Sequence, residues 1–314
     1  MAEEVAAGVI RAAIGAALLL SGAGAVAQVP PDIAARTRAA GQTMDPASAQ
    51  GYAALFPPEA WEGVTIERDL AYGPDPLNQL DIYTTPGGGT PRPVLIFVHG
   101  GGYVRGDKHG AFYPDNITLW AAKQGMVALN INYRLAPGTT FPGAAQDLAS
   151  AISWARANVA RWGGDPERIV LFGHSAGANH VADYVGNREV QGDELVAVKG
   201  AVLLSPTYPA YPGEIPHAYY GSDEEVNSPA GSLRRLSASP VPLFLADAEF
   251  DPDLMQNTAS ALRTGLCEIP PQCPTSVHLA DHNHFSEGMA LGTSDQSLAG
   301  PLLEWIASLF GERG

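Results

Sequence analysis

Cysteine is almost missing from this 314-residue chain, which has only two. A disulfide-built scaffold is therefore excluded, and so is a cysteine-rich metal module. Basic residues are also scarce, 18 Lys and Arg against 33 Asp and Glu, for a formal net charge of -15. Such a surface repels phosphate backbones, so no nucleic acid is expected as a partner. No apolar run reaches the ~20 residues that a membrane-spanning helix needs. Internal repeats are absent, and only the Ala/Gly-rich start has biased composition. What remains, 46% hydrophobic residues and 16% charged, is enough for one well-packed globular domain.

The first 27 residues have the pattern of a secretory signal peptide. Arg11 precedes an apolar run from Ala12 to Leu20, and Ala25-Val26-Ala27 before Gln28 is an A-x-A type cleavage site. Glu3 and Glu4 stand where a basic n-region is usual. The expectation is a secreted or periplasmic protein with a mature domain over 28–314. Cys267 and Cys273 flank a short proline-stiffened loop. In an oxidising compartment they would pair, worth about 2 kcal/mol in loop entropy. Their spacing, with no further cysteine, does not suit a metal.

From residue 94 onward, apolar strands alternate with helical stripes. Val94–Val98, Val127–Asn132, Ile169–Phe172, Val198–Leu204 and Leu243–Leu245 read as strands, with a last short one at Ser276–Leu279. Leu148, Ile152, Ala155 and Val159 mark a helix over 144–162, and further helices are expected at 176–185, 253–266 and 298–310. This rhythm predicts an α/β fold, a mostly parallel sheet with helices on both faces. A strand pair, Val64–Leu70 and Leu80–Tyr83, precedes it. Two segments fall outside the alternation: an N-terminal arm over 28–60 and an insertion over 207–237. The insertion holds Tyr208, Tyr211, Tyr219, Tyr220 and the acidic cluster Asp223-Glu224-Glu225. Together they are candidates for a small cap over the carboxyl edge of the sheet, where ligands bind in such folds.

Gly173-His174-Ser175-Ala176-Gly177 is a G-x-S-x-G pentapeptide directly after a strand. A serine on a sharp strand-to-helix turn presents its hydroxyl free of the sheet, so Ser175 is the candidate nucleophile. A hydroxyl needs a base to take its proton. The stretch 278–286 offers His278, His282 and His284. His284 is the choice, because chain enough separates it from the expected strand to turn over the sheet edge; His278 falls in that strand, and His282 is the close competitor. The orienting carboxylate comes from Asp247, Glu249, Asp251 or Asp253. Asp251 is preferred, because Pro252 keeps it extended and outside the next helix. Asp253 suits an N-cap, and Asp247 belongs to the strand end.

Upstream, His99-Gly100-Gly101-Gly102 follows a buried strand. The amides of Gly101 and Gly102, with that of Ala176, are candidate oxyanion donors. His99 reads as a structural residue of that loop. Tyr103 and His174 are candidate substrate-binding residues of the pocket wall.

These motifs, with Asn132-Tyr133-Arg134-Leu135-Ala136-Pro137, Gly164-Asp165-Pro166-Glu167-Arg168-Ile169, Ala248-Glu249-Phe250-Asp251-Pro252 and His284-Phe285, resemble the α/β-hydrolase superfamily. The likeness is to HGGG-bearing esterases related to hormone-sensitive lipase, over about residues 64–310. It implies the α/β-hydrolase fold, a Ser-Asp-His triad in that chain order, an oxyanion hole, a small-molecule ester substrate, and chemistry needing neither cofactor nor metal. Two departures stand out: His174 where many relatives have Asp, and Gly177-Ala178 where they have Gly-Gly. The segment 102–108 is closer to a compact branch with feruloyl-esterase-like, kynurenine-formamidase-like and small carboxylesterase members. An arylformamidase-type amidase, a lipase or polyester hydrolase, and a non-enzymatic binding protein on the same fold are the alternatives. Oligomeric state is not readable from the sequence.

Overall fold

The computed structural model describes residues 29–87, 91–110, 115–207, 214–222, 226 and 229–311. The expected signal peptide, Tyr208, Tyr211 and Asp223-Glu224-Glu225 lie outside the described residues. In chain order the elements are α1 (Pro31–Ala40), β1 (Thr65–Ala71), β2 (Gln79–Thr84), β3 (Arg92–Val98), α2 (Asp115–Lys123), β4 (Val127–Ile131), α3 (Gly143–Asn158) and β5 (Gly164–His174). Then follow α4 (Ala176–Gly186), α5 (Arg188–Gln191), β6 (Val198–Leu204), α6 (Glu214–Tyr220), α7 (Pro229–Ser237), β7 (Leu243–Phe250), α8 (Asp253–Cys267), β8 (Thr275–Asn283), α9 (Ser286–Met289) and α10 (Ala299–Leu309).

The apolar runs make the centre of one eight-stranded sheet, ordered β1-β2-β4-β3-β5-β6-β7-β8. β1 and β2 pair antiparallel, β2 joins β4 antiparallel, and every later pairing is parallel. Alternation along β3 explains why its run is continuous. Val94, Ile96 and Val98 enter one core with α3, α4 and α8, while Leu95 and Phe97 enter the other with α2 and α10. A strand covered on both faces has no side for polar residues. The expected stripe of Leu148, Ile152, Ala155 and Val159 is fully buried against the first of these cores.

Three features differ from the sequence expectation. Helix α2 was not anticipated, yet it buries Ile117, Trp120, Ala121 and Ala122 in the second of these cores. The last strand runs to Asn283 instead of ending at Leu279. It bulges, since Ala248 pairs with Leu279 but Phe250 with Asn283, and Asp281 sits in the left-handed region at φ 62°. The bulge supplies the change of direction that the sequence reading had given to a loop. Asp253 is the first helical residue of α8 and not its N-cap, a position held by Pro252; its carboxylate accepts instead from the Gln42 amide at 2.7 Å.

The arm folds as α1 and a 3-10 helix over Pro46–Leu55, packing Ile33, Ala49 and Tyr52 against Met289 and Ala290. Cys267 and Cys273 form a disulfide at the end of α8.

Candidate active site

Parallel strands end at one edge of the sheet, and Ser175 comes directly after β5. Its backbone is left-handed, φ 56° and ψ -125°, a conformation disfavoured for a residue with a side chain and held here by its surroundings. The Ser175 amide donates to the Leu204 carbonyl at 2.9 Å, and its own carbonyl accepts from Ala178 at 3.0 Å. The flanking glycines serve close approach, not the strained dihedral. A Cβ on Gly177 would lie 2.1 Å from the Val98 carbonyl oxygen, and one on Gly173 would lie 2.3 Å from that of Gly177. Small residues at both positions let α4 start hard against the ends of β3 and β5.

Asp251 follows β7 in a turn closed by its amide on the Ala248 carbonyl, and it is fully buried. Its Oδ1 accepts from His284 Nδ1 at 2.9 Å. Its Oδ2 accepts from Ser205 Oγ at 2.5 Å and from the Ala248 amide at 2.9 Å. With both oxygens bonded in this way, Asp251 holds the imidazole proton on Nδ1, and the lone pair is left on Nε2. His284 comes directly after β8 and lines the same cavity as Ser175.

The competitors are engaged elsewhere. Asp247 and His278 are register partners on β7 and β8, and bond each other at 2.6 Å with the imidazole half-exposed. His282 is buried within β8, not in a loop; its Nε2 meets Ser297 Oγ at 2.8 Å and its Nδ1 meets Ser286 Oγ at 3.2 Å. Glu249 accepts from the Asp281 amide.

The triple-glycine loop turns back sharply after β3. Gly101 has φ 133° and Gly102 φ 61°, and a Cβ on Gly101 would lie 1.9 Å from the Arg105 carbonyl oxygen. His99 holds this loop: Nδ1 is 2.7 Å from the Gly100 carbonyl, Nε2 is 3.1 Å from Asn132 Oδ1, and Tyr133 donates to the His99 carbonyl at 2.7 Å. Burial pushes the His99 imidazole below its usual range, in keeping with a neutral structural role. Gly100, Gly101 and Gly102 line the cavity beside Ser175, with Ala176 next in the chain at the start of α4.

The cavity holds about 400 Å³. Met44 and Pro46 of the arm form part of its wall, with Met255, Phe285 and Thr207. Tyr103 and His174 line it as expected. The Tyr103 hydroxyl points into the protein, bonding the Thr207 carbonyl at 3.1 Å and accepting from Asn179 at 2.6 Å, while its ring stacks on Tyr219 of α6. His174 Nε2 donates to the His284 carbonyl at 2.8 Å. Burial, then the adjoining His284 ring, push His174 well below the usual imidazole range.

Ser205 and Glu287 were not singled out by sequence reasoning. Ser205 sits in the left-handed region at φ 42° and supports Asp251. Glu287 is fully buried, with Oε1 3.2 Å from His174 Nε2. A signal existed for each: Ser205 ends a buried parallel strand, and Glu287 is an acid in an apolar stretch three residues after His284. His174, His284 and Glu287 bring one potential ligand atom each within 4.8 Å of the others. His174 Nε2 donates to a carbonyl and so has no lone pair for a metal, and among the described residues neither Glu287 oxygen has a hydrogen-bond partner.

A mostly parallel sheet with a serine at a strained turn after β5, an acid after β7 and a histidine after β8 defines an α/β-hydrolase. The chain has that fold. A family profile described as BD-FAE matches residues 80–195. Esterase LipC of Mycobacterium tuberculosis is 37% identical over 169 residues, 54% of this chain and 36% of LipC. A probable isoprenylcysteine alpha-carbonyl methylesterase of Arabidopsis thaliana is 35% identical over 114 residues, 36% of this chain and 26% of that protein. The matches thus span about a third or less of the length of these relatives. Among solved structures, esterase B from Lactobacillus rhamnosis superposes with a TM-score of 0.68 at 19% identity, covering 90% of this chain and 96% of that one. Among the described residues no helix is long and apolar enough to cross a membrane.

Proposed function

We propose that this protein is a serine carboxylesterase acting on small or aromatic carboxylic esters through an acyl-enzyme on Ser175. The observation that carries this reading is the shared cavity wall of Ser175 and His284, with His284 held at Nδ1 by the buried Asp251. His284 takes the Ser175 proton as the hydroxyl attacks the ester carbonyl. The tetrahedral oxyanion is stabilised by the Gly101, Gly102 and Ala176 amides, each such donor worth about 2.7–4 kcal/mol. His284 then protonates the leaving alcohol, and water hydrolyses the acyl-enzyme by the same route. The cavity of about 400 Å³ has the size of a small-molecule site, and its walls of Met44, Pro46, Met255 and Phe285 suit an apolar acyl or aryl group. The arm over 28–60 and the insertion over 207–237 serve as a small cap on a single domain. Export through the first 27 residues accords with the disulfide.

Hydrolysis of p-nitrophenyl esters of graded acyl length, of feruloyl esters and of N-formylkynurenine tests the substrate class. Turnover of the esters is expected, with Ser175→Ala losing both turnover and fluorophosphonate labelling. Turnover of N-formylkynurenine alone moves the assignment to an amidase. Labelling that survives Ser175→Ala overturns the nucleophile.

A further inference from the structure

Behind the triad lies a second buried carboxyl that the mechanism above does not use. Glu287 belongs to α9, and its Oε1 stands 3.2 Å from His174 Nε2. Its carboxyl also faces Ser205 and the carboxylates of Asp247 on β7 and Asp251 in the turn after it. The contacts trace a ring. His284 donates from Nδ1 to Asp251, Ser205 donates to the other oxygen of Asp251, Glu287 lies between Ser205 and His174, and His174 donates to the His284 carbonyl. The ring thus grips His284 twice, by its imidazole and by its backbone. Other titratable groups on the elements packed around α9 are engaged elsewhere, His282 with Asp295 at 3.3 Å and Tyr52 with Asp295 at 3.0 Å. From α2, Asn116 donates to the Gly288 carbonyl.

We propose that Glu287 is a positioning residue of the catalytic site, a buried neutral carboxylic acid that seats the His174 imidazole at 3.2 Å and so holds His284 in register with Ser175. The inference rests on the esterase reading above. A buried carboxylate needs hydrogen bonds or a cation; among the described residues neither Glu287 oxygen has a hydrogen-bond partner, and the neighbouring His174 is itself held neutral by burial and by the His284 ring. Burial and the neighbouring Asp251 both push the Glu287 carboxyl well above its usual range. As a neutral acid it has one hydrogen to give and one oxygen to accept with.

The test compares wild type, Glu287→Gln and Glu287→Leu on p-nitrophenyl butyrate across pH. Glutamine keeps a donor and an acceptor without a charge; leucine keeps neither. Glu287→Leu is expected to lose about tenfold or more in kcat with KM within about twofold, and to shift the acidic limb of the kcat profile. Glu287→Gln is expected to recover kcat to within about threefold, with the limb restored. The infrared C=O stretch of a protonated carboxyl, present in wild type at neutral pH, should vanish in Glu287→Gln. Two results overturn the proposal: a glutamine variant as impaired as leucine, which makes an anion the required species, or a leucine variant with wild-type kcat and limb. If the leucine variant does not fold, the infrared band and the glutamine kinetics decide. A wild type inactive on every ester overturns the esterase reading, and the infrared band still reports separately whether Glu287 is neutral.

Discussion

Asp251→Asn should be among the most damaging near-isosteric changes in this protein, and the structure says why. The Oδ2 position accepts two hydrogen bonds, from Ser205 Oγ and the Ala248 amide. An asparagine must therefore place its carbonyl oxygen there. Its NH2 group then points at His284 Nδ1, which today donates to Oδ1 at 2.9 Å. Two donors cannot face each other, so the imidazole shifts its proton to Nε2. The nitrogen that should take the Ser175 proton is then occupied. Loss of the correct tautomer costs about 10⁴ in kcat in serine proteases, roughly 5 kcal/mol of transition-state stabilisation. The same order is expected here, with KM little changed because Asp251 does not line the cavity. Asp253→Asn gives the contrast: its carboxylate bonds an exposed Gln42 amide, and the change should stay within about twofold. The assay is steady-state hydrolysis of p-nitrophenyl butyrate for both variants, with the rate of fluorophosphonate labelling as a second reading of Ser175. Retention of more than about a tenth of kcat in Asp251→Asn, or equal losses in the two variants, would refute the tautomer argument.

Gly101→Ala should lower kcat at least about 100-fold, because the new Cβ would lie 1.9 Å from the Arg105 carbonyl oxygen and the loop must move its amides; unchanged kcat would remove Gly101 from the oxyanion hole. His180→Phe should make the fold less sensitive to acid. His180 is caged by Tyr103, Tyr133 and Tyr219, and burial pushes its imidazole down to about 3. The unfolded chain takes up that proton near pH ~6.5, so it binds more protons than the native state below that pH, and stability falls as pH drops. The wild type should lose about 2 kcal/mol between pH 6.5 and 5 through this group, a share absent in His180→Phe. Urea unfolding at pH 5 and 7.5 measures it, and parallel pH dependence in the two proteins would count against the assignment.

The parts of the site that could be read from the chain are those whose chemistry constrains neighbours in sequence. Ser175 needed a strand before it and small residues around it, so the pentapeptide and the run Ile169–Phe172 declared it. Asp251 was separated from three nearby acids by a local rule, the proline that follows. His284 was chosen on the premise of a loop, and the chain reaches the same place by a bulged strand instead. The dihedral at Asp281 that makes the bulge depends on contacts of β8 with β7, which no local pattern reports. Helix α2 was missed because its burial runs almost all the way round, erasing the stripe that marks an amphipathic helix.

The least legible part is the support behind the triad, and His174 is the key to it. The sequence marked His174 as a candidate wall residue and as a departure from relatives with aspartate. Structure gives that departure a consequence: an imidazole at this position can donate to the His284 carbonyl, which a carboxylate cannot do. The same nitrogen faces Glu287, so a histidine before the nucleophile and an acid three residues after the base fit each other across 113 residues of chain. An aspartate at 174 would add a third buried carboxyl beside those of 251 and 287, and one more acid would have to be neutralised. The histidine adds no further acid where the imidazolium forms. The residue before the nucleophile is therefore bound up with the charge state behind the base, and exchanging it alone should disturb the pH profile before it disturbs substrate choice.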